Sequence, residues 1–255
     1  MEHLISLYGP GALVASVVIA LIAGMIKGVV GFAMPTVMIS GLASFMSPEL
    51  ALAGLILPTV VTNGMQALRQ GLGAALGSIR KFRVFLSAGL VTLLLSAQLV
   101  RVMPVSWLFL GIGVPITVFT LAQLAGWTPA RMVRRARVEA MVGGFAGFVG
   151  GMSGIWAPPT VAYLSAIDVP KQEHLRIQGT VYGLGAFALF GAHLQSGVIR
   201  AETLPLSVGL VVPAVLGIWL GFQVQDRINQ VMFRKVTLWV LLLAGLNLVR
   251  RGVMG

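Results

Sequence analysis

Apolar positions run along this chain in long blocks, and polar residues gather in short breaks between them. Residues 10–30 are apolar save for Lys27, roughly twenty positions, which is enough for one helix to cross a core of about 30 Å. Residues 32–45 form a shorter run of roughly fourteen, which predicts a short or re-entrant segment. Ser47-Pro48-Glu49 predicts a helix start, with serine as cap, proline in the first turn and an acid at the positive end of the dipole. That helix runs to about residue 68 and carries Thr62, Asn63 and Gln66. A basic, glycine-bearing stretch reads as a linker to residue 83, followed by spans at about 84–100 and 107–125. The second half repeats the order: about 138–151, a short 155–166, a helix opening at Asp168-Val169-Pro170, then about 204–222 and 236–249.

Each half thus holds about five apolar segments, one of them short, and one motif is duplicated. Residues 24–35 read GMIKGVVGFAMP and residues 147–158 read GFVGGMSGIWAP. Without gaps, Gly24, Gly28, Gly31 and Pro35 align with Gly147, Gly151, Gly154 and Pro158. Glycine leaves backbone bare and proline removes a donor, so matched interruptions in two halves point to the binding site of a transporter. Gly24, Pro35, Gly151 and Pro158 are the expected helix-break or gating positions. The fold class expected is an all-α polytopic membrane protein of two repeats, residues 1–128 and 129–255.

The parity of crossings makes those repeats inverted. The linker holding Arg69, Arg80, Lys81 and Arg83 is basic and therefore cytoplasmic, whereas its counterpart near Arg200 has almost no net charge. Both termini are then expected outside, against which Arg250 and Arg251 weigh mildly. The start has Glu2 and no basic residue before its apolar run, unlike a cleaved signal peptide, so it is expected to stay as the first membrane segment.

Composition agrees: 57% of the 255 residues are hydrophobic and 10% charged, with mean hydropathy +0.94, far from a soluble domain. The formal charge of +11 sits in short clusters between apolar runs, which reads as topology and excludes a soluble nucleic-acid-binding face. No cysteine is present, so there is no disulfide framework and no thiolate chemistry. No acid falls in the middle of an apolar span, which disfavours a cation carrier or carboxylate proton relay. No metal-ligand cluster or activated serine is evident, so neither an enzyme nor a cofactor is expected.

The candidate chemistry is that of an anion site. Lys27 lies inside an apolar segment, where a charge costs about 2.5–3.5 kcal/mol at the helix centre. Gly28 and Gly31 beside it would let an anion reach its ammonium; the bland alternative is a lysine that snorkels to the headgroups. Asn63 and Gln66 share a helix face, and Gln178 and Thr180 stand on the corresponding helix of the second half. Amides and hydroxyls donate to an oxyanion without the desolvation cost of a full charge, although they also serve as interhelical glue. Ser153, Gly154 and Trp156 add a hydroxyl and an indole donor in the second motif. Gly143 and the Gly217/Gly221 pair read as packing positions. Arg176 is open between the site and the inner surface, and His193 reads as interfacial. The partners expected are a small anionic substrate and the lipid bilayer, with no nucleic acid; a homo-oligomer stays open.

The duplicated G-x-x-x-G-x-x-G-x-x-x-P stretches, each followed by a short apolar segment and a proline-opened helix, resemble the sulfite exporter TauE/SafE family, also called TSUP. The resemblance covers nearly the whole chain, including Pro213, Gly217, Gly221 and the Asp226-Arg227-Ile228 run. It implies a bacterial inner-membrane permease for sulfite or a small organosulfur anion such as a sulfonate or sulfoacetate, by alternating access. Family members usually continue the motif with glycines, where this chain has Phe32-Ala33-Met34 and Ile155-Trp156-Ala157, a bulkier lining that suits a different organic anion. Transport of a carboxylate and a membrane scaffold whose glycines only pack helices are the alternatives that stay open.

Overall fold

In the computed structural model the described residues are 2–97, 105–127, 134–153, 157–195 and 198–254. Among them the chain is all-helical, with eleven helices and no strand. They are α1 (Glu2–Val30), α2 (Met34–Leu42), α3 (Pro48–Leu68), α4 (Leu72–Lys81), α5 (Arg83–Ala97), α6 (Val105–Leu124), α7 (Ala136–Ser153), α8 (Ala157–Ala166), α9 (Lys171–Gln195), α10 (Leu204–Arg227) and α11 (Gln230–Met254). Among the described residues four stretches are long and apolar enough to cross a membrane: Gly9–Val30, Glu49–Leu68, Leu204–Arg227 and Gln230–Met254. The protein is a multi-pass membrane protein.

Most boundaries follow from local chemistry. α1 bends at Gly9, where φ is +75° just before Pro10, so its membrane run begins there. Ser47 caps α3 by accepting from the Leu50 amide at 3.3 Å, with proline in the first turn and Glu49 behind it. α9 begins at Lys171, directly after the expected Asp168-Val169-Pro170 opening. Asp168 holds a left-handed φ of +52°, and the first helical bond runs from the His174 amide to the Pro170 carbonyl. The start of α9 is held by Gln230, which accepts from the Lys171 amide at 2.9 Å and donates to the Val169 carbonyl at 3.2 Å. A departure from the expected order is α4, ten helical residues inside the stretch read as a linker.

The helices group into two compact units, residues 1–71 with 178–229 and residues 72–177 with 230–255. These are not the two sequence halves: each unit takes helices from both. In the first unit α1 packs along α10, α10 on α3, and α2 fits between α1 and α3. Its apolar core joins Ala20, Ala23, Met34, Met38, Leu42, Leu55 and Ile56 to Leu206, Leu210 and Ala214. In the second unit α5 packs along α7, α6 along α11, and α8 against α7 and α11.

The three long pairings, α1 with α10, α5 with α7 and α6 with α11, are all made by glycine. A Cβ on Gly28 would lie 2.4 Å from the Ile218 carbonyl oxygen and 2.7 Å from the Gly221 Cα, so only hydrogen fits. The α5/α7 pair has the same construction, with a Cβ on Gly147 falling 1.9 Å from the Gly89 carbonyl oxygen. Without an apolar driving force between helices in lipid, such close backbone approach is what holds them together.

Candidate functional site

The break between α1 and α2 organises the polar residues of the first unit. α1 ends at Val30, and Gly31, with φ +91°, closes it by donating from its amide to the Lys27 carbonyl at 2.7 Å. Phe32 and Ala33 follow outside any helix, and Ala33 holds a left-handed φ of +73°, uncommon for a residue with a side chain. α2 then starts without a side-chain cap. Pro35 in its first turn has no N–H, so Met34 and Thr36 carry first-turn donors that the helix itself does not use. The interruption therefore falls at residues 31–33, later than Gly24, which lies in the interior of α1 against the Ala214 carbonyl.

Lys27 sits in the last turn of α1, where a cation complements the helix dipole. Its side chain is 1% exposed, which removes the snorkelling alternative, and its ammonium donates to Asn63 Oδ1 across the unit. Gln66, one turn further along α3 and equally buried, donates from Nε2 to the Gly31 carbonyl at 3.1 Å. The two amides thus clasp the α1/α2 break from α3, one through the lysine and one through the backbone. Thr62 donates to the Pro58 carbonyl at 2.6 Å and lies 3.3 Å from the Met34 sulfur at the start of α2.

α9 closes onto the same face of α3. A Cβ on Gly179 would fall 2.5 Å from the Ala67 amide nitrogen, and one on Gly183 would lie 3.8 Å from the Asn63 Cβ. Gln178 and Thr180 flank the first of these glycines, and both are buried. Lys27, Gly31, Asn63 and Gln66 are therefore joined by direct bonds, with Gln178 and Thr180 on the helix packed beside them. Gly28 turns toward α10 at the contact described above. Gly151 lies in the last turn of α7 and Pro158 in the first turn of α8. The side chain of Ser153, all of Gly154 and Trp156, and the side chain of His193 lie outside the described residues. Arg176 donates from Nε to Ser78 Oγ of α4 at 2.7 Å, in the second unit.

Sequence reasoning missed Thr59 as a member of this face. Its hydroxyl is buried and has no hydrogen-bond partner among the described residues. The signal was present in the spacing, because Thr59, Asn63 and Gln66 stand at i, i+4 and i+7 on α3. Gly179 and Gly183 were missed too; at spacing four, next to amides, they mark a close helix crossing.

At the end of α3 the chain is tied down by charge. Arg69 bonds Asp226 at 2.6 Å and Gln225 at 2.8 Å, and its guanidinium lies 4.0 Å from the centre of the Phe222 ring. At the start of α3, Glu49 accepts from Arg200. Among the described residues, the ion pairs of the first unit engage Glu49, Glu202 and Asp226, and none reaches Lys27. No group of histidine and carboxylate side chains able to hold a metal exists among the described residues.

Residues 16–248 match the family model described as sulfite exporter TauE/SafE. No curated protein and no solved structure matches the chain.

Proposed function

The chain belongs to the sulfite exporter TauE/SafE family, a family of membrane transporters, and from that premise we propose that it is a permease for a small oxyanion. The cargo is sulfite or an organosulfur anion such as a sulfonate or sulfoacetate, carried by alternating access across the cell inner membrane. One observation carries this reading. The ammonium of Lys27 is buried at 1% exposure and is met by an amide oxygen, not by a carboxylate. A buried charge without a counter-charge is costly, by several kcal/mol even after relaxation. An oxyanion supplies the missing negative charge, and its remaining oxygens are served by donors that need no charge of their own: Asn63, Gln66, Gln178, Thr180 and the first-turn amides of Met34 and Thr36 beyond the break at Gly31. This is the chemistry of anion capture at a broken helix. Ser153, Gly154 and Trp156 of the second motif remain candidates for substrate contact in the second repeat.

The reading includes two inverted repeats, residues 1–128 and 129–255, with both termini outside. Its support is the reciprocal pairing of helices, in which the first helix of each half packs along a later helix of the other, α1 on α10 and α7 on α5. Two repeats related by a two-fold axis produce such an exchange.

The test is flux of radiolabelled sulfite in proteoliposomes, with taurine, sulfoacetate and lactate as competitors, for the native chain and Lys27→Met. Saturable flux, inhibited by a sulfur oxyanion and lost in a variant that still elutes as a folded protein, is the expected result. Flux of lactate without competition by any sulfur anion would replace the cargo with a carboxylate. No flux of any anion by folded native protein would leave a scaffold as the better reading.

A further inference from the structure

α4 has no role in the permease just described, and its surface has a chemistry of its own. Leu72, Leu76 and Ile79 stand at i, i+4 and i+7, one stripe of the helix, and they are 65%, 44% and 38% exposed. Ala75 and Ser78, on an adjoining face, are buried in the second unit. The helix is thus packed along one side and presents leucine and isoleucine to its surroundings along another. A stripe of this kind is an interfacial helix when cations flank it and the bilayer is near. The sequence places it so: a membrane span ends at Leu68, and the apolar helix α5 begins at Arg83, with only Phe82 between it and the end of α4.

The cations are gathered by specific contacts. Arg134 donates to the Lys81 carbonyl at the end of α4, and its guanidinium lies 4.2 Å from the centre of the ring of Phe82, a side chain only 1% exposed. This bond brings the basic run before α7 to the basic end of α4. The two acids there are consumed, Glu139 by Arg134 at 2.6 Å and Glu173 by Lys81 at 2.6 Å. Arg80, Arg83, Arg135 and Arg137 are exposed and have no ion pair among the described residues. Four unneutralised guanidinium groups therefore surround the end of a helix whose open face is apolar.

We propose that α4 and the arginines at its end form a docking surface for anionic phospholipid, with Leu72, Leu76 and Ile79 in the acyl boundary and the guanidinium groups on the lipid phosphates. Charge complementarity selects the occupant. A soluble partner of acidic character would satisfy the arginines and leave the leucines in water, whereas a neutral lipid would cover the leucines and leave the arginines without counter-charge. Only an anionic leaflet satisfies both, and each basic residue near such a surface contributes about 1 kcal/mol.

The natural absence of cysteine makes the test direct. Leu76→Cys and, on the polar side of the helix, Gly77→Cys are spin-labelled and reconstituted as the full chain in vesicles of phosphatidylcholine, and in vesicles containing one quarter phosphatidylglycerol. Power saturation then compares access of oxygen with access of a water-soluble nickel chelate. The expected result is a label at position 76 that is shielded from nickel in the anionic vesicles and a label at 77 that is not. Replacing the four arginines by glutamine should return position 76 to nickel access at least several-fold. Equal nickel access at the two positions in anionic vesicles overturns the docking surface. Equal shielding of position 76 in both lipids overturns the requirement for anionic lipid, as does shielding that survives loss of the four arginines in protein that elutes normally.

Discussion

Lys27 and Asn63 are separated by 36 residues, and each makes sense only through the other. An amide oxygen in the interior of a membrane helix needs a donor, and a buried ammonium needs acceptors. Removing one partner leaves the other desolvated, at a cost of about 1–3 kcal/mol. Asn63→Leu should therefore lower the melting temperature of the purified protein, and the double variant Lys27→Met with Asn63→Leu should recover much of the loss. A thermal melt of the four members of this cycle reads the coupling; additive losses would mean that the bond contributes nothing. The residue types were legible before the fold was, because a lysine inside an apolar run and amides on one helix face stand out against so little polarity. Which of them meet was not legible, since the partner choice is made by the packing of α1 and α3 on α10 and α2, which they share, and not by spacing. Thr59 shows the converse: its place on the face follows from the helix period alone, but threonine occurs so often as interhelical glue that its type carries no signal.

Elements were read best where a local interaction fixes them. The serine cap, the proline in the first turn and the acid behind it locate the start of α3 without any tertiary information. α4 was lost for the opposite reason. Gly71, Gly73 and Gly77 argue against a helix, each interior glycine costing about 1 kcal/mol relative to alanine. The stripe of Leu72, Leu76 and Ile79 outweighs them once Ala75 and Ser78 have something to pack on. The two kinds of glycine should then separate in experiment. Gly73 has nothing within 4 Å of its Cβ position, so Gly73→Ala should stabilise the protein by up to about 1 kcal/mol. Gly28→Ala drives a methyl into the backbone of α10 and should destabilise it by roughly 1–3 kcal/mol, the cost typical of overpacking. Melting temperatures moving in the same direction for both would refute the assignment of Gly28 to a helix contact. The pairing of Gly24 and Gly28 with Gly217 and Gly221 had a trace in the sequence, two matched spacings of four. Nothing local says which of several such spacings belong together.

At the scale of the molecule the chain threads two compact units twice, leaving the first after Gly71, rejoining it at Gln178 and leaving it again after Asn229. That interleaving is not legible in apolar runs, which give the order of helices and nothing of their neighbours. Orientation is more accessible, because it depends on where unneutralised cations lie. Arg80, Arg83, Arg135 and Arg137 carry no ion pair among the described residues, and the positive-inside rule predicts them on the cytoplasmic side. Arg250 and Arg251 argue for the same side at the other end of the chain, but each is engaged by the protein. Arg250 donates to Asn247 at 3.1 Å, and Arg251 lies 4.7 Å from the centre of the Phe109 ring. Held in that way they compete weakly with the four arginines, and under the proposed odd number of crossings per repeat the C-terminus is expected outside. Two single-cysteine variants of the cysteine-free chain decide it. Met254→Cys should react with an impermeant maleimide in intact spheroplasts, and Gly77→Cys only after permeabilisation. The reverse pattern would place the basic loops outside and turn the whole protein over. Reaction of both cysteines from one side would make the number of crossings between them even. The odd parity from which the inverted relation of the repeats is argued would then lose its basis, even though the pairings of α1 with α10 and of α5 with α7 would stand.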